Sequence, residues 1–273
     1  MIAWLLEQNP IFLAFLGTSF TFLMTLAGSA LVFFVRTINQ KIFSLFLGLA
    51  SGVMISASFF SLILPAINHL EGENSWLIAL SVAGGFVLGG GFLFLADKLI
   101  PHMHIKATAQ EGPKSKLKRT ILLVFSVTIH NIPEGLAVGV AFGSIVTGDV
   151  SGLLAAIGVA IGIGIQNFPE GAIISIPLRA EGISKKKAFL NGALSGIVEP
   201  IAGVLGALMV FHMQKILPWA LSFAAGAMIY VVCEELIPSA KEVKEGQEDN
   251  GHFMILGVII GFVLMMILDV ALG

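Results

Sequence analysis

Eight long apolar runs constrain this chain more than anything else in it. They lie at about 10–35, 41–68, 76–99, 120–147, 151–178, 187–212, 216–238 and 252–272. Each reaches the ~20 residues that a helix needs to cross the hydrocarbon core of a bilayer. In hydrocarbon every backbone N–H and C=O must be paired within its own segment, so runs of this length fold as helices. The expected fold class is an all-α polytopic membrane protein with eight transmembrane helices. Only Gly148-Asp149-Val150-Ser151 separates the fourth and fifth runs. Together those two are far too long for one span, so a tight turn is required there. The share of charged residues is 12%, about half the ~25% of a soluble domain. The first run exceeds the ~7–15 residues of a signal-peptide core, and it follows a start that carries Glu7 and lacks Lys and Arg. It is read as the first span.

Eight spans place both ends of the chain on one side, and the basic residues say which. Of the 15 Lys and Arg residues, all but Lys215 fall in or beside the connections after spans one, three, five and seven. The positive-inside rule makes those connections cytoplasmic and both termini non-cytoplasmic. The longest connection, 101–119, is read as a cytoplasmic loop beginning Pro101-His102-Met103-His104. No soluble domain is evident, so residues 1–273 form one transmembrane unit. The short loops point to a bacterial plasma membrane. A net charge of −2 offers no footprint for nucleic acid. Cys233 is the single cysteine, so any metal must be held by imidazole, carboxylate, amide or thioether groups.

Two copies of one pattern, [His/Gln]-Asn-x-Pro-Glu-Gly, sit inside the fourth and fifth runs: His130-Asn131-Ile132-Pro133-Glu134-Gly135 and Gln166-Asn167-Phe168-Pro169-Glu170-Gly171. Positions i and i+4 share a helix face, so His130 pairs with Glu134 and Gln166 with Glu170. Glu199 lies inside the sixth run, followed by Pro200. An ionisable group at this depth is costly and marks a functional site by default. A shared cation would offset the cost for all three carboxylates at once. Nitrogen and oxygen donors without thiolate suit Zn²⁺, Fe²⁺, Mn²⁺, Co²⁺ or Cd²⁺. Each proline also removes a helical donor, which is expected to free the carbonyls of Ile129, Ile165 and Gly196 and to kink spans four to six at the ligand positions.

Glycines recur four residues apart at Gly85/Gly89, Gly158/Gly162, Gly192/Gly196 and Gly257/Gly261, a spacing that lets helices approach closely in lipid. Spans four and five are expected to pack closely enough for their polar groups to meet. Ser56, Ser58 and Ser61 are read as packing or back-bonding hydroxyls.

HNIPEGLAVG and QNFPEGA, followed by Glu199-Pro200 in the next run, resemble spans four to six of the ZIP (Zrt/Irt-like) divalent metal transporters, particularly the GufA-like branch. The resemblance extends along the whole chain. It implies transport of Zn²⁺ or a similar divalent cation into the cytoplasm through a site for two adjacent ions. Carried over by motif, His130, Glu134, Gln166 and Glu170 hold the first ion. Asn131, Glu134, Asn167, Glu170 and Glu199 hold the second, with glutamates bridging. The family often has an acidic residue where this chain has Asn167, so the second position carries one charge fewer. The resemblance also implies a two-part fold with sliding helix groups, frequent homodimers, a thioether from Met54 near the first ion, and an exit relay of Asp97, His102, His104 and Glu235. Asp269, near the outer end of the last run, faces water or guides cations. The enzyme alternative, an intramembrane metal-dependent hydrolase, needs a metal with an open water position and a spare general base. The chain has no His-Glu-x-x-His and is read as a carrier.

Overall fold

The structure is a computed structural model and describes residues 2–103, 112–114, 119–146, 148–241 and 251–272. His104 and most of the 101–119 connection lie outside the described residues. The eight apolar runs all become helices: Pro10–Phe33, Gln40–His69, Ser75–Leu99, Thr120–Gly143, Val150–Ala180, Lys185–His212, Gln214–Ala240 and Gly251–Leu272. They are referred to below as spans one to eight. No strand occurs among the described residues.

Local sequence sets where several of them begin. Asn9, Asn39 and Asn74 each accept a hydrogen bond from the backbone N–H two residues on, at 2.8, 2.8 and 2.9 Å. Asp149 does the same for Gly152 at 2.9 Å, and this starts span five immediately after the turn at Gly148, where φ is +84°. Such caps satisfy donors that the first helical turn leaves over.

Glycine decides which spans meet. Gly135, Gly139 and Gly143 of span four lie against the backbone of span six at Glu199, Gly203 and Ala207. Gly28 of span one touches Phe168 of span five, Gly48 and Gly52 of span two touch span eight, and Gly89 of span three touches span seven. A Cβ at these positions would overlap main chain, so the contacts exist only because the side chain is absent. Spans four and five pack closely enough for their polar groups to meet, as expected, Gln166 Nε2 donating to Glu134 Oε1 at 2.6 Å. The tightest contact of span four is with span six, because its four-residue glycine row faces that helix. Spans three and eight sit at the periphery and spans two and four at the centre.

Spans two, six and seven depart from uniform α-helix in their interiors. Span two contains a π-helical stretch at Ser58–Ile63 and span seven another at Val232–Leu236. Such turns re-aim side chains and are frequent at functional sites. Span six is two helices, Lys185–Ser195 and Val198–His212, joined at Gly196-Ile197. Pro200 therefore lies in the first turn of the second half, where a missing N–H costs little. The Gly196 carbonyl is not freed by it: it accepts the backbone N–H of Glu199 at 3.0 Å. Spans four and five run on as helix through Pro133 and through Pro169 and Pro177.

Candidate metal centre

The break in span six places Glu199 in the first turn of a helix, where the N-terminal end of the dipole favours a carboxylate. Its side chain is fully buried. Asn167 Nδ2 donates to Glu199 Oε2 at 2.8 Å and Thr25 Oγ1 donates to Oε1 at 3.3 Å. Thr21 holds the same amide from the other side, its carbonyl lying 3.5 Å from Asn167 Nδ2. Glu134, equally buried, accepts a hydrogen bond on Oε1 from Gln166 Nε2 at 2.6 Å. Glu170 is partly buried, and Asn131 Nδ2 donates to the Ser195 carbonyl at 3.1 Å.

The two copies of the motif meet across spans four and five: the glutamate of the first is bonded by an amide of the second, Glu134 by Gln166. Packing crosses the two copies, whereas helical spacing alone pairs groups within one copy.

His130 shares a small cavity with Glu134, but its ring is engaged elsewhere. Nδ1 is in contact with Glu235 Oε2 of span seven, and Nε2 lies 3.9 Å from Asp97 Oδ1 of span three. His102 Nε2 is 3.7 Å from the same aspartate oxygen, and its Nδ1 sits 2.9 Å from the Ile100 carbonyl. Ser126 donates to Glu235 at 3.4 Å. Asp97, His102, His130 and Glu235 form one buried chain of polar groups leading away from the glutamates towards the start of the 101–119 connection.

Met54, His130, Glu134, Glu170 and Glu235 line a cavity of about 20 Å³. A volume of ~10–15 Å³ on the same measure admits one water-sized body. Of the groups bordering it, Glu134 Oε2 is buried without a hydrogen-bond partner, as is His130 Nε2, 3.9 Å from Asp97; Gln166 Oε1 and Asn131 Oδ1, off the cavity, lack one too. Buried polar atoms are ordinarily paired, so unpaired lone pairs on a carboxylate and an imidazole at the cavity, with amides close by, form a donor set for a cation. Among the described residues, no three His, Cys, Asp or Glu side chains stand together as a complete ion cage. Amides interleave with the carboxylates instead.

A second, larger cavity of about 770 Å³ opens at the other end of the bundle, lined by Ser61, His69, Asp149 and Asp269 among others. Ser61, expected to pack or back-bond, donates to Asp269 Oδ1 at 2.5 Å across spans two and eight. The π-helical stretches of spans two and seven carry Ser61 and Glu235, each of which reaches across to another span.

Sequence reasoning missed Thr21 and Thr25. Thr18, Thr21, Thr25 and Ser29 recur along one face of span one, and all are fully buried. That periodicity was the available signal.

Fold and centre together define the class first: an all-helical integral membrane protein of eight spans with ionisable groups at its core. The model of the family described as ZIP zinc transporter matches residues 102–269. The chain is 38% identical to zinc transporter ZIP11 of Homo sapiens, covering 97% of this chain and 99% of the relative. It is 37% identical to zinc transporter GufA of Myxococcus xanthus (83% and 85% covered). It is 35% identical to zinc transporter ZIPB of Bordetella bronchiseptica (95% and 81% covered). The chain belongs to the ZIP zinc transporter family, a family of transporters and not of enzymes.

Proposed function

We propose that this protein carries Zn²⁺, or a similar divalent cation such as Cd²⁺, Fe²⁺ or Mn²⁺, across the membrane into the cytoplasm. One observation carries the reading: Glu134, Glu170 and His130 border a cavity of about 20 Å³ between the central spans, and Glu134, His130 and the Gln166 that bonds Glu134 each bury a polar atom with no hydrogen-bond partner. Desolvated donors of this kind gain most from a cation and lose most without one. The names of the relatives supply the metal.

The path follows the polar groups. Cations collect in the vestibule around Asp269, Ser61, Asp149 and His69, shed water, and bind at His130, Glu134, Gln166 and Glu170. Met54 closes one wall of the site. They leave along Glu235, Asp97 and His102 towards the connection that holds His104. The basic residues at the ends of spans one, three, five and seven make that exit the cytoplasmic one. Asn131, Asn167 and Glu199 complete the ligand set of the two-ion arrangement in which glutamates bridge, and a homodimer is the assembly that goes with it. The test is zinc uptake into vesicles holding the purified protein. Glu134→Ala is expected to abolish it, and unimpaired uptake removes the site.

A further inference from the structure

Three consecutive lysines, Lys185-Lys186-Lys187, open span six, and the end of span one is fastened beside them. Lys185 Nζ donates to the Phe33 carbonyl at 2.9 Å, and the rings of Phe33 and Phe189 lie 5.3 Å apart. Arg36, three residues past Phe33, is thereby held at the same corner of the bundle. Arg36, Lys186 and Lys187 are exposed, and none of them meets a carboxylate among the described residues. Other cations at this end are engaged. Arg179 donates to the Ile183 carbonyl at 3.2 Å, and Lys41 and Lys98 lie over the rings of Phe253 and Phe94.

Below the lysines, span six continues as an apolar stripe open to lipid. Leu190, Leu194, Ile197, Ile201 and Leu205 recur at three- and four-residue spacing and are 42% to 59% exposed. Lys186 stands one turn ahead of Leu190 on the same face. The only carboxylate along the span, Glu199, is turned inward and buried. Phe34, two residues before Arg36, is 86% exposed. Lysine and arginine at the ends of spans reach the headgroup level while their stems lie along apolar surface.

We infer that Arg36, Lys186 and Lys187 bind the headgroup of an anionic phospholipid, with an acyl chain lying along the span-six stripe below them. A soluble anion would match the cations and leave the stripe unused. A zwitterionic lipid would fill the stripe and bring no net charge to the three cations. Each Lys or Arg near an anionic lipid surface strengthens attraction about fivefold. So placed, the lipid holds the end of span one and the start of span six at one depth. These are the two spans that meet again at Thr25 and Glu199.

The test titrates the purified full chain in detergent with phosphatidylglycerol or with phosphatidylcholine of the same acyl chains, and counts bound lipid by native mass spectrometry. It reads lipid and not zinc, so its outcome is independent of the transport reading. Phosphatidylglycerol is expected to bind at least about tenfold more tightly than phosphatidylcholine. Arg36→Gln/Lys186→Gln/Lys187→Gln is expected to weaken phosphatidylglycerol binding roughly a hundredfold, three factors of about five, and to leave phosphatidylcholine binding unchanged. All three side chains are exposed, so folding is not at stake. Lys185 is left in place because it ties Phe33. Lys41→Gln/Lys98→Gln removes two charges from the same end of the bundle and is the control, expected to stay within about threefold of wild type. Equal affinity for the two lipids overturns the inference. So does a loss in the control pair as large as in the triple variant, which would assign the effect to the general charge of that end. Displacement of the bound phosphatidylglycerol by inorganic phosphate would make this a soluble-anion site and overturns it as well.

Discussion

Replacing Gly139 by Ala adds a single methyl group to span four, five residues beyond Glu134 and away from every proposed ligand. Its Cβ would lie 2.6 Å from Gly203 Cα and 2.7 Å from Gly203 C, against 3.4 Å for the start of ordinary van der Waals contact. The obstacle is main chain, with the Gly203 carbonyl oxygen closer still, and cannot rotate away, so spans four and six must part locally by more than the 0.8 Å between 2.6 and 3.4 Å. Overpacking of this kind costs ~1–3 kcal/mol, equivalent to about 5- to 150-fold in the population of the packed arrangement. Metal–ligand distances tolerate only about ±0.2 Å. Span four carries His130, Asn131 and Glu134, and span six carries Glu199, so the displacement exceeds that tolerance several-fold. Zinc uptake into vesicles is expected to fall at least about fivefold, the lower end of that population range, while the protein still inserts and elutes as a single species. Gly91→Ala is the control. Nothing lies within 4 Å of a Cβ there, and uptake should match wild type. Equal uptake by Gly139→Ala and wild type would refute the claim that glycine contact between spans four and six sets the geometry of the centre.

Other perturbations follow from the same structure. Glu235→Leu leaves the buried His130 ring without its carboxylate partner and should lower stability by about 1–3 kcal/mol, read as a reduced melting temperature in detergent. The His130→Leu/Glu235→Leu double variant should lose less than the sum of its parts. Asp269→Asn removes the charge from the outer vestibule, where Oδ2 is buried without a partner. The zinc concentration for half-maximal uptake should rise several-fold with the maximal rate retained, and an unchanged half-saturation would exclude Asp269 from the path. Acidification should reduce uptake, because carboxylates and imidazole must be free of protons to bind a cation. Vesicle uptake at an external pH of about 5.5, a unit below the ordinary histidine value of ~6.5, should therefore fall below that at pH about 7.5. A flat profile over that range would argue against these ligands.

The number of spans was fixed by the sequence alone, because hydrocarbon leaves a long apolar segment no other way to pair its backbone. Their boundaries came within a few residues of those expected, helped by Asn9, Asn39, Asn74 and Asp149, whose capping is local chemistry. The twin motifs with Glu199 were legible for a similar reason: ionisable groups have no casual place in an apolar helix. Which of those groups touch was not legible. Helical spacing put His130 with Glu134, and the two do share a cavity, yet packing gave the histidine ring to Glu235 and Asp97 and crossed Glu134 to an amide of the other motif. The periodicity of Thr18, Thr21, Thr25 and Ser29 was visible but its partner was not, because a threonine in an apolar helix ordinarily bonds its own preceding turn, as Thr18 does to the Ala14 carbonyl at 2.7 Å. Only the approach of span one to spans five and six gives Thr25 a carboxylate to meet. Likewise the chain shows Glu199-Pro200, but whether that proline interrupts a helix or begins one depends on the break at Gly196-Ile197. A sequence specifies what each helix can offer on each face, and the partner of that face is chosen by backbone-to-backbone fit among eight helices, an interaction with no counterpart along the chain.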